Sequence, residues 1–107
     1  MIQKIKNILG IGPKINIGEL IAGGAIIIDV RSKGEFQDGH VDGAINIPLE
    51  KVVEKIEDIK KMQHPIILCC ESGTRSRQAH IYLSQHGIFN TFNGGSWLEI
   101  NELKGEK

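Results

Sequence analysis

Residues 25–30 (AIIIDV) constrain the fold more than any other part of the chain, because they form an almost unbroken run of β-branched side chains. A strand with one face in water alternates apolar and polar residues, whereas a strand buried on both faces does not. Such strands occur in parallel sheets that are covered by helices on both sides. Further short strands are predicted at residues 15–17, 43–48, 65–69 and 90–93.

Helices are predicted between these strands. An apolar stripe among charged residues predicts a helix over residues 49–60. The stripe consists of Leu49, Val52, Val53, Ile56 and Ile59. A second helix is predicted over residues 75–86, with Gly87 as its C-terminal cap, and a last helix around Trp97. Strands that alternate with helices predict an α/β fold with a largely parallel sheet.

Length and charge balance limit the classes of protein to which this chain can belong. A chain of 107 residues fits one domain with a single core. Its 13 basic residues equal its 13 acidic residues, so the formal net charge is zero. A neutral chain has no broad electrostatic attraction for nucleic acid or for an anionic membrane. No apolar run approaches the roughly 18 residues of a membrane span. From the zero net charge and the absence of such a run, we predict neither nucleic-acid nor membrane partners.

The chain is predicted to have three segments. Residues 1–13 have isoleucine and leucine at helical spacing between lysines, and Pro13 ends this segment. We predict an amphipathic helical extension that lies on the domain; a helix that binds a partner or a membrane surface is the alternative. Residues 14–103 are predicted to form the domain, and residues 104–107 a charged tail. No small-residue cleavage site follows the N-terminal segment, so no signal peptide is predicted.

The two cysteines of the chain, Cys69 and Cys70, are adjacent. Neighbouring Cα atoms are about 3.8 Å apart, which is too close for an ordinary disulfide. Zinc takes four ligands that are usually separated by at least two residues, so a structural metal site is not predicted. Unpaired thiols are typical of a reducing compartment, and we therefore predict a cytoplasmic protein.

Cys70 lies between a predicted strand and a predicted helix, which is where ligands bind in open α/β sheets. Gly73 lets the backbone take a left-handed turn, so that successive N–H groups converge on one point. The helix N-terminus adds partial positive charge, and Arg75 adds a full charge that suits an oxyanion such as thiosulfate. These features favour a reactive thiolate over the alternative of a buried structural cysteine. Cys69 is expected to point to the opposite face of the strand and to be structural.

Three blocks of sequence resemble the rhodanese domain family. The first block, which resembles the family's N-terminal signature, consists of residues 28–31 (IDVR), 35–36 (EF) and 39–48 (GHVDGAINIP). Residues 70–76 (CESGTRS) resemble its active-site loop, and residues 93–97 (NGGSW) resemble its closing segment. A lone Cys-x-x-Gly-x-Arg would be weakly specific, but three blocks in the family's order and spacing are highly specific. The resemblance covers roughly residues 15–100.

The resemblance implies a single-domain sulfurtransferase with a rhodanese-like α/β fold, in which helices flank a central, mostly parallel five-stranded sheet. Cys70 would be the nucleophile, accepting sulfane sulfur from thiosulfate or a persulfide donor and passing it to a thiol or cyanide acceptor. Amides of the active-site loop (residues 70–75) would bind the persulfide or the departing sulfite. The binding residues implied are Glu71, Ser72, Gly73, Thr74 and Arg75. No metal or organic cofactor is implied, because the intermediate is a persulfide on Cys70.

Other residues of these blocks are interpreted as supporting ones. Asp29 and Arg31 end a predicted strand, and an ion pair or hydrogen bonds made by them would fix loops near the nucleophile. Glu35 is expected to pair with Arg31 as further support. His40 is interpreted as a structural histidine and Trp97 as the anchor of the last helix.

Alternative functions remain open at this point. One is a sulfur-carrier module that a partner protein loads, with little turnover of small molecules. Glu71 fits this alternative, because an inward carboxylate would repel thiosulfate, whereas an outward one would select protein partners. A phosphatase or arsenate reductase is less favoured. The cell-cycle phosphatases related to the family that this chain resembles have the motif Cys-x5-Arg, whereas here four residues separate Cys70 from Arg75. An inactive interaction domain is disfavoured by the intact cysteine.

Overall fold

The computed structural model of the protein describes residues 16–105. The helices are α1 (Ile17–Ala22), α2 (Lys33–Gln37), a 3-10 helix (Leu49–Lys55), α3 (Ile56–Lys60), α4 (Thr74–Gln85) and α5 (Trp97–Gly105). The strands are β1 (Ile26–Asp29), β2 (Ile45–Asn46), β3 (Ile66–Cys70) and β4 (Thr91–Ser96). The predicted N-terminal extension, residues 1–13, lies outside the described residues. None of the helices within residues 16–105 has the length and apolarity needed to span a bilayer.

The described strands form one parallel sheet in the order β2-β1-β3-β4. The predicted α/β fold with a parallel sheet is confirmed, but the sheet has four strands in the described part of the chain, and the prediction of five was wrong. Ile17, the last residue of the predicted strand 15–17, begins α1 instead. Asn16 caps that helix, because its side chain accepts a hydrogen bond from the Glu19 amide at 3.1 Å. The cap favours helix here more than β-branched side chains favour strand.

All five residues of β3 are buried, because helices cover both faces of the sheet. One core cluster contains Ile66, Leu68 and Cys70 of β3 together with Val52, Ile59, Ala79, Leu83 and Ile88. The other contains Ile67 and Cys69 of β3 together with Ile27, Val41 and Ile100. Side chains of a strand alternate between faces, so Cys69 and Cys70 point into different layers, as the sequence predicted.

The predicted helix over residues 49–60 is divided into the 3-10 helix and α3. In a 3-10 helix, residues three apart lie above one another. Leu49 and Val52 therefore face the core together, whereas Val53 is 57% exposed. The prediction that Val53 belongs to the buried stripe was wrong, because that prediction assumed an α-helix with 3.6 residues per turn.

A register shift between β3 and β4 determines which residue of β4 lies opposite Cys70. Leu68 pairs with Asn93 but Cys69 pairs with Gly95, so Gly94 is the extra residue of a bulge. A Cβ atom on Gly94 would lie 2.5 Å from Cγ2 of Ile67. Only glycine therefore lets this part of β4 lie so close to the buried layer, and the bulge leaves Ser96 opposite Cys70.

Candidate active site

Cys70 is the last residue of β3, at the carboxyl end of the parallel sheet. Three residues separate it from α4, which begins at Thr74. Gly73 caps this helix with φ of 96°, a left-handed conformation that a residue with a side chain rarely adopts. The loop can therefore turn back sharply over the sulfur. Cys70 keeps only 1% of its surface exposed.

Two backbone amides donate to Sγ of Cys70: that of Gly73 at 3.0 Å and that of Ser76 at 3.4 Å. The hydroxyl of Ser76 lies 3.5 Å from the same sulfur. Burial opposes the thiolate, but hydrogen bonds from Ser76, Gly73 and Ser72 outweigh it and lower the pKa of the Cys70 thiol from its ordinary value. The geometry therefore favours an ionised sulfur at this position.

Cys69 is electrostatically different although it is adjacent. Burial, followed by the charge of Asp29, raises the pKa of the Cys69 thiol to about 12. A thiol with that pKa stays protonated at neutral pH and is a poor nucleophile. The predicted structural role of Cys69 agrees with this environment.

Ser76 contacts the sulfur as well, although the sequence analysis placed it only within the block that resembles the active-site loop. It is fully buried, and its hydroxyl donates to Oδ1 of Asn93 at 2.6 Å. Asn93 also accepts from the Gly95 amide at 3.0 Å and donates to the Gly73 carbonyl at 3.2 Å. Asn93 therefore joins β4 to the loop around Cys70. The signal for Ser76 was its position in the first turn of the helix that follows Cys70, where its backbone amide and its hydroxyl can both point back towards the sulfur.

Arg75 is held by Glu35 of α2 in a bidentate pair, with Nη1–Oε1 at 2.7 Å and Nη2–Oε2 at 3.0 Å. The hydrogen bonds from Arg75 and from the Ser32 amide lower the pKa of Glu35 to about 2. Ser32 and Glu35 also form a capping box at the start of α2. The expected pairing of Glu35 with Arg31 was wrong, because Arg31 donates a hydrogen bond to the backbone carbonyl of Glu35, at 3.3 Å, and not to its carboxylate.

Arg31 pairs instead with Asp29, and both side chains are buried. Nη2 of Arg31 lies 2.7 Å from Oδ2 of Asp29 and donates to the Gly39 carbonyl at 2.8 Å. The side chain of Asn46 donates to the carbonyls of Asp29 and Arg31, at 2.9 and 3.0 Å. This network fixes the segments that follow β1 and β2, at the same end of the sheet as Cys70.

Trp97 connects this network to the active-site loop. The guanidinium of Arg31 lies over its ring, 4.5 Å from the centroid. Its indole Nε1 donates to Oε1 of Glu71 at 3.4 Å. Trp97 packs against the buried cluster that contains Ile100 of α5. Besides its predicted contact between the last helix and the core, Trp97 therefore holds the side chain of Glu71 on one side of the loop.

The remaining loop residues form an exposed rim. Ser72 and Thr74 are exposed, and their hydroxyls lie 3.3 Å from each other. His40, outside the loop, stacks on Phe36 with ring centroids 3.7 Å apart. Its Nδ1 lies 2.7 Å from the Phe36 carbonyl oxygen. Within residues 16–105, no cluster of three or more histidine, cysteine, aspartate or glutamate residues has the arrangement of a metal site.

Comparison with known proteins identifies the family to which the chain belongs. Residues 16–100 match the family model of the rhodanese-like domain. The chain belongs to the rhodanese-like domain family. It is 38% identical over 74 residues to the thiosulfate sulfurtransferase PspE of Escherichia coli (strain K12), covering 68% of this chain and 71% of that protein. It is 33% identical over 79 residues to the thiosulfate sulfurtransferase GlpE of Shewanella oneidensis, covering 70% of this chain and 77% of that protein.

A solved structure agrees with these relatives. The structure described as a rhodanese with anions from E. coli superimposes with a TM-score of 0.65 at 35% identity. The match covers 71% of this chain and 91% of that one. The relatives and the fold together assign this rhodanese-like domain to a family of sulfurtransferases.

Proposed function

We propose that this rhodanese-like domain is a sulfurtransferase that carries sulfur as a persulfide on Cys70. The thiolate of Cys70 attacks the outer sulfur of thiosulfate or of a persulfide donor. A sulfur–sulfur bond forms to Cys70 while the donor's own sulfur–sulfur bond breaks, and its electron pair leaves with sulfite or with the donor thiolate. A thiol or cyanide acceptor then attacks the outer sulfur, and Cys70 departs as the thiolate.

The observation that carries the proposal is the set of donors on the sulfur. The amides of Gly73 and Ser76 point at Sγ of Cys70, at 3.0 and 3.4 Å. Such donors stabilise a thiolate, which is the reactive form for attack and the leaving form in the second step. Of the amides implied by the resemblance, that of Gly73 contacts the sulfur, and Ser76 adds one just beyond the active-site loop.

The chemistry requires no metal or organic cofactor, because each step exchanges one sulfur–sulfur or sulfur–acceptor bond for another. No proton must be removed from a nucleophile that is already ionised. Support for a small transferred group comes from the loop itself, since four residues separate Cys70 from Arg75. The side chain of Arg75 already binds Glu35, so we propose that its main contribution is to hold the loop against α2.

The test is intact-protein mass spectrometry after incubation with thiosulfate, and separately with a protein persulfide donor. We expect the wild-type protein to gain one sulfur atom, and cyanide to remove it. Cys70→Ser should gain none, whereas the matched control Cys69→Ser should gain one like the wild type. If Cys70→Ser still took up sulfur, or if Cys69→Ser lost uptake while remaining folded, the nucleophile would be another residue and the proposal would be wrong.

The second candidate function is a carrier that a partner protein loads and that turns over small molecules slowly. The exposed carboxylate of Glu71 beside the nucleophile favours it, because a carboxylate repels small anionic donors. Comparing initial rates with thiosulfate and with a protein persulfide donor separates the two functions. Rapid turnover of thiosulfate to thiocyanate with cyanide as the acceptor would exclude the carrier function.

A further inference from the structure

We propose that Glu71 selects sulfur donors by charge, disfavouring dianionic donors such as thiosulfate relative to donors that carry no net charge. This inference rests on the proposed function, because it concerns which donor loads Cys70. It assigns to Glu71 a role in specificity and none in the bond-making steps.

The first argument is that Arg31 and Arg75, which contact the segments around the site, are already paired. Arg75 is bound by both carboxylate oxygens of Glu35. Arg31 is bound by both carboxylate oxygens of Asp29 and is buried. Each pair has no net charge, so neither arginine offers an incoming anion the full field of a free guanidinium.

The second argument is the charge that remains on the loop. Between Cys70 and Arg75 the only ionisable side chain is that of Glu71. When the sulfur is ionised, residues 70–74 therefore carry two negative charges before a donor arrives, and the charge of Arg75 is already paired with Glu35. The amides around the sulfur offset this in part, but the added field of Glu71 acts on every anion that approaches.

The third argument is where the carboxylate lies. Glu71 directly follows Cys70, so standard chain geometry keeps its carboxylate within about 11 Å of the sulfur. In this structure it lies on the Trp97 side of the loop, since Nε1 of Trp97 donates to it at 3.4 Å and the guanidinium of Arg31 lies over the Trp97 ring. This distance is close to the Debye length of about 8 Å at physiological salt, so the charge is felt at the sulfur.

The fourth argument is access. Cys70 is 1% exposed, whereas Glu71, Ser72 and Thr74 of the same loop are exposed. A donor therefore meets this rim before its sulfur reaches Sγ. Two of the three rim residues are neutral hydroxyls, so Glu71 alone makes the rim sensitive to the charge of the donor.

Three small donors have the same reactive outer sulfur but different net charges. Comparing them distinguishes the effect of donor charge from the effect of the transferred sulfur itself. Thiosulfate carries two negative charges, methanethiosulfonate carries one, and 2-aminoethanethiosulfonate is a zwitterion without net charge. For each donor, the rate of persulfide formation on Cys70 is measured by mass spectrometry in the wild type and in Glu71→Gln. A unit charge at this range changes the rate by roughly threefold per unit of donor charge at low salt. We therefore expect Glu71→Gln to increase the rate of persulfide formation about tenfold with thiosulfate and about threefold with methanethiosulfonate. With the zwitterion the rate should hardly change.

Two further variants make the outcome decisive. Glu71→Lys reverses the charge at an exposed position and should accelerate thiosulfate more than Glu71→Gln does. Glu54→Gln removes an exposed carboxylate in the 3-10 helix, away from the active-site loop, and should leave all three rates unchanged. The gain of Glu71→Gln with thiosulfate should shrink as salt is added, because screening shortens the range of the charge.

The results distinguish this inference from the proposed function. If neither the three small donors nor a protein persulfide donor adds sulfur to wild-type Cys70, the proposed function fails. If a protein persulfide donor loads Cys70 but none of the three small donors does, even in Glu71→Gln, charge selection by Glu71 is overturned. If all three donors react but Glu71→Gln changes their rates equally or not at all, the function stands and charge selection by Glu71 is overturned. A change graded by donor charge, and abolished by salt, would establish Glu71 as a residue that determines specificity.

Discussion

Removal of the Ser76 hydroxyl tests how the protein ionises Cys70. The hydroxyl has one hydrogen and two possible acceptors, since it lies 2.6 Å from Oδ1 of Asn93 and 3.5 Å from Sγ of Cys70. With a protonated sulfur, the thiol donates to Ser76 and the hydroxyl donates to Asn93. When the sulfur ionises, the hydroxyl can turn to the thiolate, and Asn93 keeps only the Gly95 amide as donor to that oxygen.

The magnitude follows from this exchange of partners. A hydrogen bond to a charged group contributes about 1.5–3 kcal/mol, and the neutral bond given up to form it about 1 kcal/mol. The net stabilisation of the thiolate by the hydroxyl is therefore about 1 kcal/mol, or roughly a fivefold change in the ratio of thiolate to thiol. Ser76→Ala should raise the pKa of Cys70 and lower the ratio of thiolate to thiol at any given pH by about this factor. The amides of Gly73 and Ser76 still donate to the sulfur in this variant, so the loss of thiolate should be partial.

The assay is the pH dependence of thiolate absorbance, together with the rate of alkylation by iodoacetamide, in a Cys69→Ser background. Asn93→Ala should act in the opposite direction, because it frees the Ser76 hydroxyl to donate to the sulfur at all times. In a protein that already carries Ser76→Ala, the Asn93→Ala change should leave the thiolate titration where it is. An unaltered titration in Ser76→Ala, with the fold intact, would refute the reasoning.

Three further predictions concern stability. Asp29→Ala leaves the guanidinium of Arg31 buried without its carboxylate, and should lower the free energy of unfolding in urea by about 3–5 kcal/mol. Glu35 has a pKa of about 2 in the folded protein against an ordinary value of 4.5, so its pairing stabilises the fold fully above about pH 4.5 and is lost as the pH falls towards 2. The Tm difference between wild type and Glu35→Gln should therefore narrow over that interval. Gly94→Ala adds a Cβ atom 2.5 Å from Ile67 and should destabilise the protein by about 1–3 kcal/mol in the same urea measurement.

Matched controls separate these effects from general damage. Asp38→Ala removes an exposed carboxylate, and should cost little compared with Asp29→Ala; a similar cost would contradict the role of the buried pair. A constant difference in Tm between wild type and Glu35→Gln from neutral pH to pH 2 would contradict the linkage. Gly34→Ala adds a Cβ atom that meets nothing within 4 Å in α2, so it should not destabilise, and equal losses for both glycine variants would refute the steric argument.

Much of the fold could be predicted because it depends on local patterns. The apolar runs of β1 and β3 predict strands buried on both faces, and the alternation of strands with helices predicts a parallel sheet. The prediction failed for residues 15–17, where a single side chain, Asn16, caps a helix. It also failed for Val53, because the sequence does not distinguish a 3-10 helix from an α-helix with the same apolar residues.

The candidate site was predictable where its chemistry follows from chain position. Cys70 ends a strand and precedes Gly73 and a helix, so the sequence by itself indicated a reactive Cys70 and, by strand alternation, a structural Cys69. The supporting contacts were less predictable. Several acidic residues were available to each arginine, and the choice between them depends on distances that the fold alone sets.

The sequence by itself therefore determined the class of fold and indicated Cys70 as the candidate sulfur, because both depend on residues within one strand, one turn or one helix. Only the tertiary structure decided that Arg75 pairs with Glu35, 40 residues away, and that Asn93 of β4 binds Ser76 of α4. Ion pairs and hydrogen bonds are short-ranged and directional, so their partners are chosen when the sheet brings distant segments within about 3 Å of each other.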